Sequence, residues 1–290
     1  RAAAEKFDIG RAYETYEALL ADPDIDAVYV PLPNDLHMLW TVRALEAGKH
    51  VLCEKPIALD APQARAIAAA AAAQGRYVAE AYMIRFHPQW QRAAALAAGG
   101  ALGELRAIQC WFAYDNPADE LRNSLRHGGG GLYDIGGYAL VAARWLFGAD
   151  PLRLIGCFHR DSTGVDCLTS GLAEFPGGRQ LGFGVSTRLP RLQTVTVHGT
   201  RASLTIETPF NPAADRPTRL LIDDGRDLYG GGGRVETIPP ADQYALQLEA
   251  FSLAVLEGRP HPFGIDDALV NMRAVDALFR SERSGAWERP

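Results

Sequence analysis

Lysine occurs only at Lys6, Lys49 and Lys55, while arginine is abundant. Lys55 lies in Glu54-Lys55-Pro56, directly after the short apolar run His50-Val51-Leu52-Cys53, so its ammonium stands at the end of an expected strand. Parallel sheets do their chemistry outside the carboxyl ends of their strands. Two more segments occupy that position: Pro31-Leu32-Pro33-Asn34 with His37 on the next helix, and Glu80-Ala81-Tyr82, leading through Arg85 and His87 to Pro88. Each also has a plain structural reading, as a rigid loop with an Asn cap or as a salt-bridged acid beside a packed Tyr.

A fourth feature is Gly128-Gly129-Gly130-Gly131-Leu132-Tyr133-Asp134-Ile135-Gly136-Gly137-Tyr138. Asp134 and Tyr138 are four apart at the start of an expected helix, so both project from one face. The glycines before them let a ligand or another backbone approach closely. Alone, the pair is a capping acid and a core aromatic. With a strand-end lysine, it becomes an acid/base set in which the ammonium favours the phenolate of Tyr138 and Asp134 orients its partners.

These residues need elements to hold them. Arg1 to Phe7 reads as the tail of a helix and Thr15 to Leu20 as a helical turn. Ala27 to Val30 is a β-branched run that predicts a buried strand, followed by a helical stripe from Asp35 to Gly48 and a strand from His50 to Cys53. Asp60 caps an Ala-rich helix, Ala61 to Gln74, that Gly75 ends, and Arg76 to Ala79 predicts a third strand. Strand, helix, strand, helix, strand is the pattern of a parallel sheet with helices on its faces.

After about Gly103 the pattern becomes strand-rich. Runs at Leu105–Ala113, Leu152–His159, Gly171–Phe175, Gln180–Val185, Gln193–His198, Ala202–Glu207 and Thr218–Ile222 predict one mostly antiparallel sheet, with a helix from Leu132 to Phe147 and two terminal helices near Gln243–Glu257 and Asp266–Ser281. The expected organisation is an α/β Rossmann-type domain over residues 1–103 and an α+β domain over residues 104–290, whose last helices pack back on the first. Neither Gly128–Gly131 nor Gly230–Gly233 carries the Gly-Lys-Ser/Thr of a P-loop, and the second reads as a loop tip.

The 290 residues are 48% hydrophobic and 22% charged, which suits a folded chain of one large or two medium domains. The formal charge of −6 offers no positive field for nucleic acid. No apolar stretch is long enough for a membrane helix, and the expected location is the cytoplasm. Cys53, Cys110, Cys157 and Cys167 are widely spaced and lack zinc-ligand intervals, so they read as reduced thiols and no metal is expected.

Pro31-Leu32-Pro33-Asn34 with His37, Glu54-Lys55-Pro56, Glu80-Ala81-Tyr82-Met83 with Arg85-Phe86-His87-Pro88, and Asp134-Ile135-Gly136-Gly137-Tyr138 occur in the order of the Gfo/Idh/MocA oxidoreductases, which the chain resembles from near Arg1 to Asn271–Leu278. Many members have His at the position of Tyr138. Tyr marks the branch of glucose-fructose oxidoreductases, dimeric dihydrodiol dehydrogenases and NADP-dependent xylose dehydrogenases. The resemblance implies reversible hydride transfer between a nicotinamide, NADP ahead of NAD, and a carbinol of a sugar, polyol or trans-dihydrodiol. It implies Lys55, Tyr138 and Asp134 as catalytic residues, and Pro31, Leu32, Pro33, Asn34, His37, Glu54, Lys55, Pro56, Glu80, Ala81 and Arg85 as cofactor-binding.

It further implies a homodimer or higher homo-oligomer built on the free face of the larger sheet, and a cis Lys55–Pro56 bond. Family members open with a strand, a Gly-x-Gly-x-x-Gly turn and a helix; the given sequence starts after roughly 40 such residues, about one βαβ unit, and reads as a fragment of the working enzyme. The alternative function is a catalytically silent sugar- or nucleotide-binding regulator or scaffold. The intact Lys55, Asp134 and Tyr138 argue against it, and the absent glycine-rich turn argues for it.

Overall fold

Short apolar runs alternating with helical stripes build a three-stranded parallel sheet. The computed structural model describes residues 2–117 and 120–290. Helices α1 (Ala2–Lys6) and α2 (Tyr16–Leu20) precede β1 (Ala27–Val30), α3 (Asn34–Glu46), β2 (His50–Glu54), α4 (Ala61–Gln74) and β3 (Val78–Ala81). Arg1, where the first expected helix begins, lies outside the described residues. The strand order is β1-β2-β3, with Val30 opposite Cys53 and Glu54 opposite Ala81. The Asp60 carboxylate accepts from the Gln63 N–H at 2.8 Å to start α4, and Gly75 ends it at φ +59°.

Two expectations are corrected here. Strand β1 is only partly buried: among the described residues its partner is β2, Ala27 and Tyr29 are exposed and Val30 is buried. The third strand runs from Val78 to Ala81 rather than from Arg76 to Ala79, because Val51 to Glu54 take Val78 to Ala81 as their partners. That shift puts Glu80 and Ala81 inside the sheet instead of beyond its end.

Helix α5 (Pro88–Ala98), which sequence reading does not anticipate, leads to β4 (Leu105–Asp115). A π-helical turn, Leu132–Gly136, runs into α6 (Gly137–Phe147). Then come β5 (Arg153–Arg160), β6 (Asp166–Phe175), β7 (Arg179–Ser186), β8 (Arg188–Gly199), β9 (Ser203–Ile206), β10 (Thr218–Asp223), β11 (Gly233–Ile238), α7 (Gln243–Leu256) and α8 (Ile265–Ser284). The eight strands form one sheet, β11-β10-β9-β8-β4-β7-β6-β5, antiparallel except where β4 meets β7. Strand β11 is also unanticipated, since its residues are mostly exposed and polar.

Period-two alternation gives this sheet two unlike faces. Ile108, Cys110 and Phe112 of β4 are buried beneath α6, while Gln109 and Trp111 point away from the core. Helix α5 covers β9 and β10 on the same side. Helix α8 joins the two sheets: it packs on α4 and β3 at one flank and on β5 and α6 at the other, and its Asp276 carboxylate accepts from the Ala61 N–H at 2.9 Å.

Candidate active site

The carboxyl ends of β1 and β2 open on a cleft of about 930 Å³ whose far wall is the end of β4, the start of the π-helical turn and part of β8. Lys55, first residue after β2, enters it through a cis bond to Pro56. Its ammonium donates to the Asp134 carbonyl at 2.6 Å and to Asp134 Oδ1 at 3.0 Å. The Tyr114 hydroxyl donates to Asp134 Oδ2, and the Arg122 guanidinium lies 4.0 Å from Oδ1. Burial opposes charge on Asp134, but the Lys55 ammonium and the Tyr114 hydroxyl outweigh it and hold the carboxyl below its usual range. Asp134 is therefore an ionised anchor for Lys55.

The π-helical turn is fixed from behind. Asp166, at the start of β6, accepts from the Leu132 N–H at 2.7 Å and from the Thr169 hydroxyl at 3.0 Å. Gly130 lies so close to it that a Cβ there would fall 1.9 Å from Asp166 Oδ1, at a φ of +132°. Two of the four glycines thus serve close backbone approach, since Gly129 similarly abuts the backbone of Arg122 and Ser124.

Tyr138 lines the same cleft from the first turn of α6. Its ring packs edge-on against Tyr82 and Phe112, and the Lys55 ammonium stands 5.5 Å from its centroid. The expectation that the ammonium favours the phenolate is corrected. The hydroxyl faces Met83 Sδ at 3.4 Å, and burial pushes the phenol well above its ordinary value. Asp134 takes the ammonium's hydrogen bonds, so the charge sits over the ring rather than at the oxygen.

The other expected residues divide into two groups. Pro31, Leu32, Pro33, Asn34, His37, Glu54 and Lys55 line the cleft. Within that group His37 is fully buried, with both ring nitrogens at carbonyls, Pro56 at 2.7 Å and Leu32 at 2.6 Å, so it ties the β1 loop to the β2 loop. Asn34 donates to the Gly128 carbonyl at 2.9 Å, bridging toward the glycine loop. Pro56, Glu80, Ala81 and Arg85 are not among the residues that line this cleft. Glu80 and Ala81 lie within β3, and Arg85 is buried in an ion pair with Asp267 at 2.6 Å.

Several cleft residues escape sequence reading. Tyr114 continues the inward set of Ile108, Cys110 and Phe112 along β4, and that alternation was the available signal. Tyr29 of β1 donates to Glu54 Oε1 at 2.5 Å. Gln193 donates to Asn211 at 2.7 Å on the opposite wall, from two loops and strands with no local signature. Among the described residues no three His, Cys, Asp or Glu side chains gather as a metal site, and no helix is long and apolar enough to cross a membrane. Cys53, Cys110, Cys157 and Cys167 are free.

Residues 1–82 match the GFO_IDH_MocA family, described as oxidoreductases with an NAD-binding Rossmann fold, and residues 90–205 match the GFO/IDH/MocA C-terminal domain. The chain is 45% identical over 290 residues to the uncharacterized oxidoreductase ORF334 of Rhizobium meliloti, covering 99% of this chain and 87% of that one. It is 35% identical to D-xylose 1-dehydrogenase (NADP(+)) 2 of Haloferax volcanii, covering 98% and 86%. Among solved structures, KijD10, a 3-ketoreductase from Actinomadura kijaniata in complex with NADP and TDP-benzene, superimposes with a TM-score of 0.89 at 32% identity, over 96% of this chain and 85% of the other. Two matched domains in sequence order, and relatives aligned over nearly the whole chain, make this protein a member of the Gfo/Idh/MocA oxidoreductase family.

Proposed function

We propose that this protein transfers hydride between a nicotinamide dinucleotide, NADP ahead of NAD, and a carbinol or ketone carbon of a sugar or polyol. The observation that carries the reading is the Lys55 ammonium, fixed by Asp134 at 3.0 Å and 2.6 Å and set on the wall of an open cleft at the carboxyl ends of a parallel sheet. The cleft suits a nicotinamide: apolar Leu32 and Met83 offer surfaces to a flat ring, beside polar Glu54 and Lys55. Pro31, Leu32, Pro33, Asn34, Glu54 and Lys55 would hold that end of the cofactor. When bound, the nicotinamide supplies or accepts the hydride.

Lys55 acts on the substrate oxygen, where negative charge grows as the carbon is reduced or oxidised. Asp134 keeps the ammonium pointed there. Burial favours Tyr138 as a neutral phenol, the form that donates a proton to the oxygen during ketone reduction; in the reverse direction the phenolate, formed by prior loss of that proton to solvent, accepts the proton from the substrate hydroxyl. NADP is the cofactor named for the Haloferax volcanii dehydrogenase and held in the KijD10 structure.

Trp111, Leu172 and Leu192 are exposed large apolar residues of β4, β6 and β8, and they support self-association through the larger sheet. Four free thiols suit a reducing cytoplasm. Incubation with NADP+ and a panel of aldoses and polyols, and with NADPH and ketosugars, tests the reading through reduced-nicotinamide absorbance. Turnover that disappears in Lys55→Met is expected. No turnover in either direction, with either dinucleotide, would overturn it.

A further inference from the structure

Glu80 does not line the cleft, yet it is tied to the segment that carries Lys55. It lies on β3 opposite Cys53, is buried, and its Oε1 accepts from the N–H of Ile57 at 2.8 Å. Ile57 follows Pro56, so this hydrogen bond ends the turn that begins at Lys55. The other oxygen, Oε2, is buried without a partner. Two cations stand nearby and both pair with Asp267 of α8: Arg85, from the turn after β3, through Nη1 at 2.6 Å while its Nε is buried without a partner, and Arg144 of α6 at 2.9 Å. Cys53 from β2 and Tyr82 after β3 are further titratable groups that face it.

We propose that Glu80 is a positioning residue for Lys55: its carboxyl holds the Ile57 N–H, and with it the turn that aims the ammonium into the cleft. The proposal rests on the hydride-transfer reading for its kinetic consequence but not for its structural one. Burial is the chief influence on this carboxyl and pushes it up to about 8, with the Ile57 N–H acting the other way. Near neutral pH Glu80 is therefore mostly protonated. Above that point a carboxylate forms in a buried space whose nearest cations already share Asp267, and the turn must readjust to accommodate it. Loss of activity on the alkaline side then originates one layer behind the cleft.

The scarcity of lysine makes a direct test practical. Reductive methylation with 13C-formaldehyde labels Lys6, Lys49 and Lys55, and the Lys55 resonance is assigned by its loss in Lys55→Arg. In the cofactor-free protein this resonance should move with a midpoint near pH 8, and Glu80→Gln, which keeps the acceptor but carries no charge, should abolish that step. In steady-state assays Glu80→Gln should stay within about threefold of wild-type kcat at neutral pH and lose the alkaline decline, whereas Glu80→Leu should lose about 10- to 100-fold in kcat with little change in KM, the size expected for misplacing a reacting group. A Lys55 resonance indifferent to pH around 8, or a Glu80→Leu variant that is less stable yet fully active, would overturn the proposal. A wild-type protein inactive on every sugar would instead remove the hydride-transfer reading and leave the resonance to decide the role of Glu80.

Discussion

The Lys55 ammonium reaches across 79 positions of sequence to the backbone carbonyl and the carboxylate of Asp134, at 2.6 Å and 3.0 Å. One residue of the π-helical turn thus fixes the cation contributed by the parallel sheet. Both partners are largely buried, with side chains 16% and 9% exposed, so the pair is screened far less than a surface bridge.

Lys55→Arg should separate the pair's two roles. A guanidinium still neutralises Asp134, so the melting temperature should change little, but its larger planar head cannot occupy the same point beside the substrate oxygen. We expect kcat to fall about 100-fold or more, as for loss of a preorganised electrostatic contact. Lys55→Met, by contrast, leaves Asp134 buried with only Tyr114 and the more distant Arg122 and should cost stability by about 3 to 5 kcal/mol as well. Thermal melts beside steady-state rates check both; an arginine variant as active as wild type would show that charge alone suffices.

Much of this arrangement is legible in the sequence because the signals are local. Pro31-Leu32-Pro33, Glu54-Lys55-Pro56 and Asp134 to Tyr138 are short segments at strand or helix ends, and strand ends are set by apolar runs and turn residues. What escapes has non-local causes. Glu80 and Ala81 read as loop residues because β3 is shifted two positions by its pairing with β2, and pairing register depends on the partner strand. Strand β1 is apolar in sequence yet half-exposed among the described residues, since composition does not say which neighbours cover a strand. The Tyr138 hydroxyl turns to Met83 because a ring of aromatics surrounds it, which spacing along one helix does not encode.

Tyr138→Phe tests the proton step. Deleting a hydroxyl that donates to Met83 Sδ should leave fold and dinucleotide affinity intact. If that hydroxyl serves as the proton donor, kcat should fall by roughly 100-fold or more, within the range of general acid/base catalysis. Stopped-flow measurement of the hydride step gives the answer. Full activity in the Phe variant would leave Tyr138 as a packing residue and move the proton-donor role elsewhere.

Asp166 gives a pH signature away from the cleft. Burial raises its carboxyl from 3.8 to about 6, against the Leu132 N–H and the Thr169 hydroxyl. A raised carboxyl binds its proton more tightly in the folded state, so its stabilising effect is fully present below 3.8 and is lost as pH rises through about 6. A shift of this size corresponds to roughly 2 to 3 kcal/mol. Asp166→Asn removes the titration, so the wild-type minus variant difference in urea midpoint should decline between about pH 4 and pH 7 and level off above. A difference independent of pH would rule out this assignment.

Gly130→Ala probes whether the glycine run is required by the backbone or is merely a loop. At φ +132° an L side chain is strained, and here its Cβ would also fall 1.9 Å from Asp166 Oδ1, an atom of the side chain that holds the Leu132 N–H. The clash therefore transmits to the turn bearing Asp134, and through it to Lys55. We expect a loss of stability of at least about 2 kcal/mol together with a fall in kcat larger than unfolding alone explains. Gly177→Ala serves as the control: its φ of +77° is also positive, but no atom lies within 4 Å of its Cβ, and it sits between β6 and β7 outside the cleft. That variant should lose stability without a specific loss of rate at temperatures where both remain folded. Equal kinetic effects in the two variants would mean that the glycine at 130 answers only to backbone strain and not to its contact with Asp166.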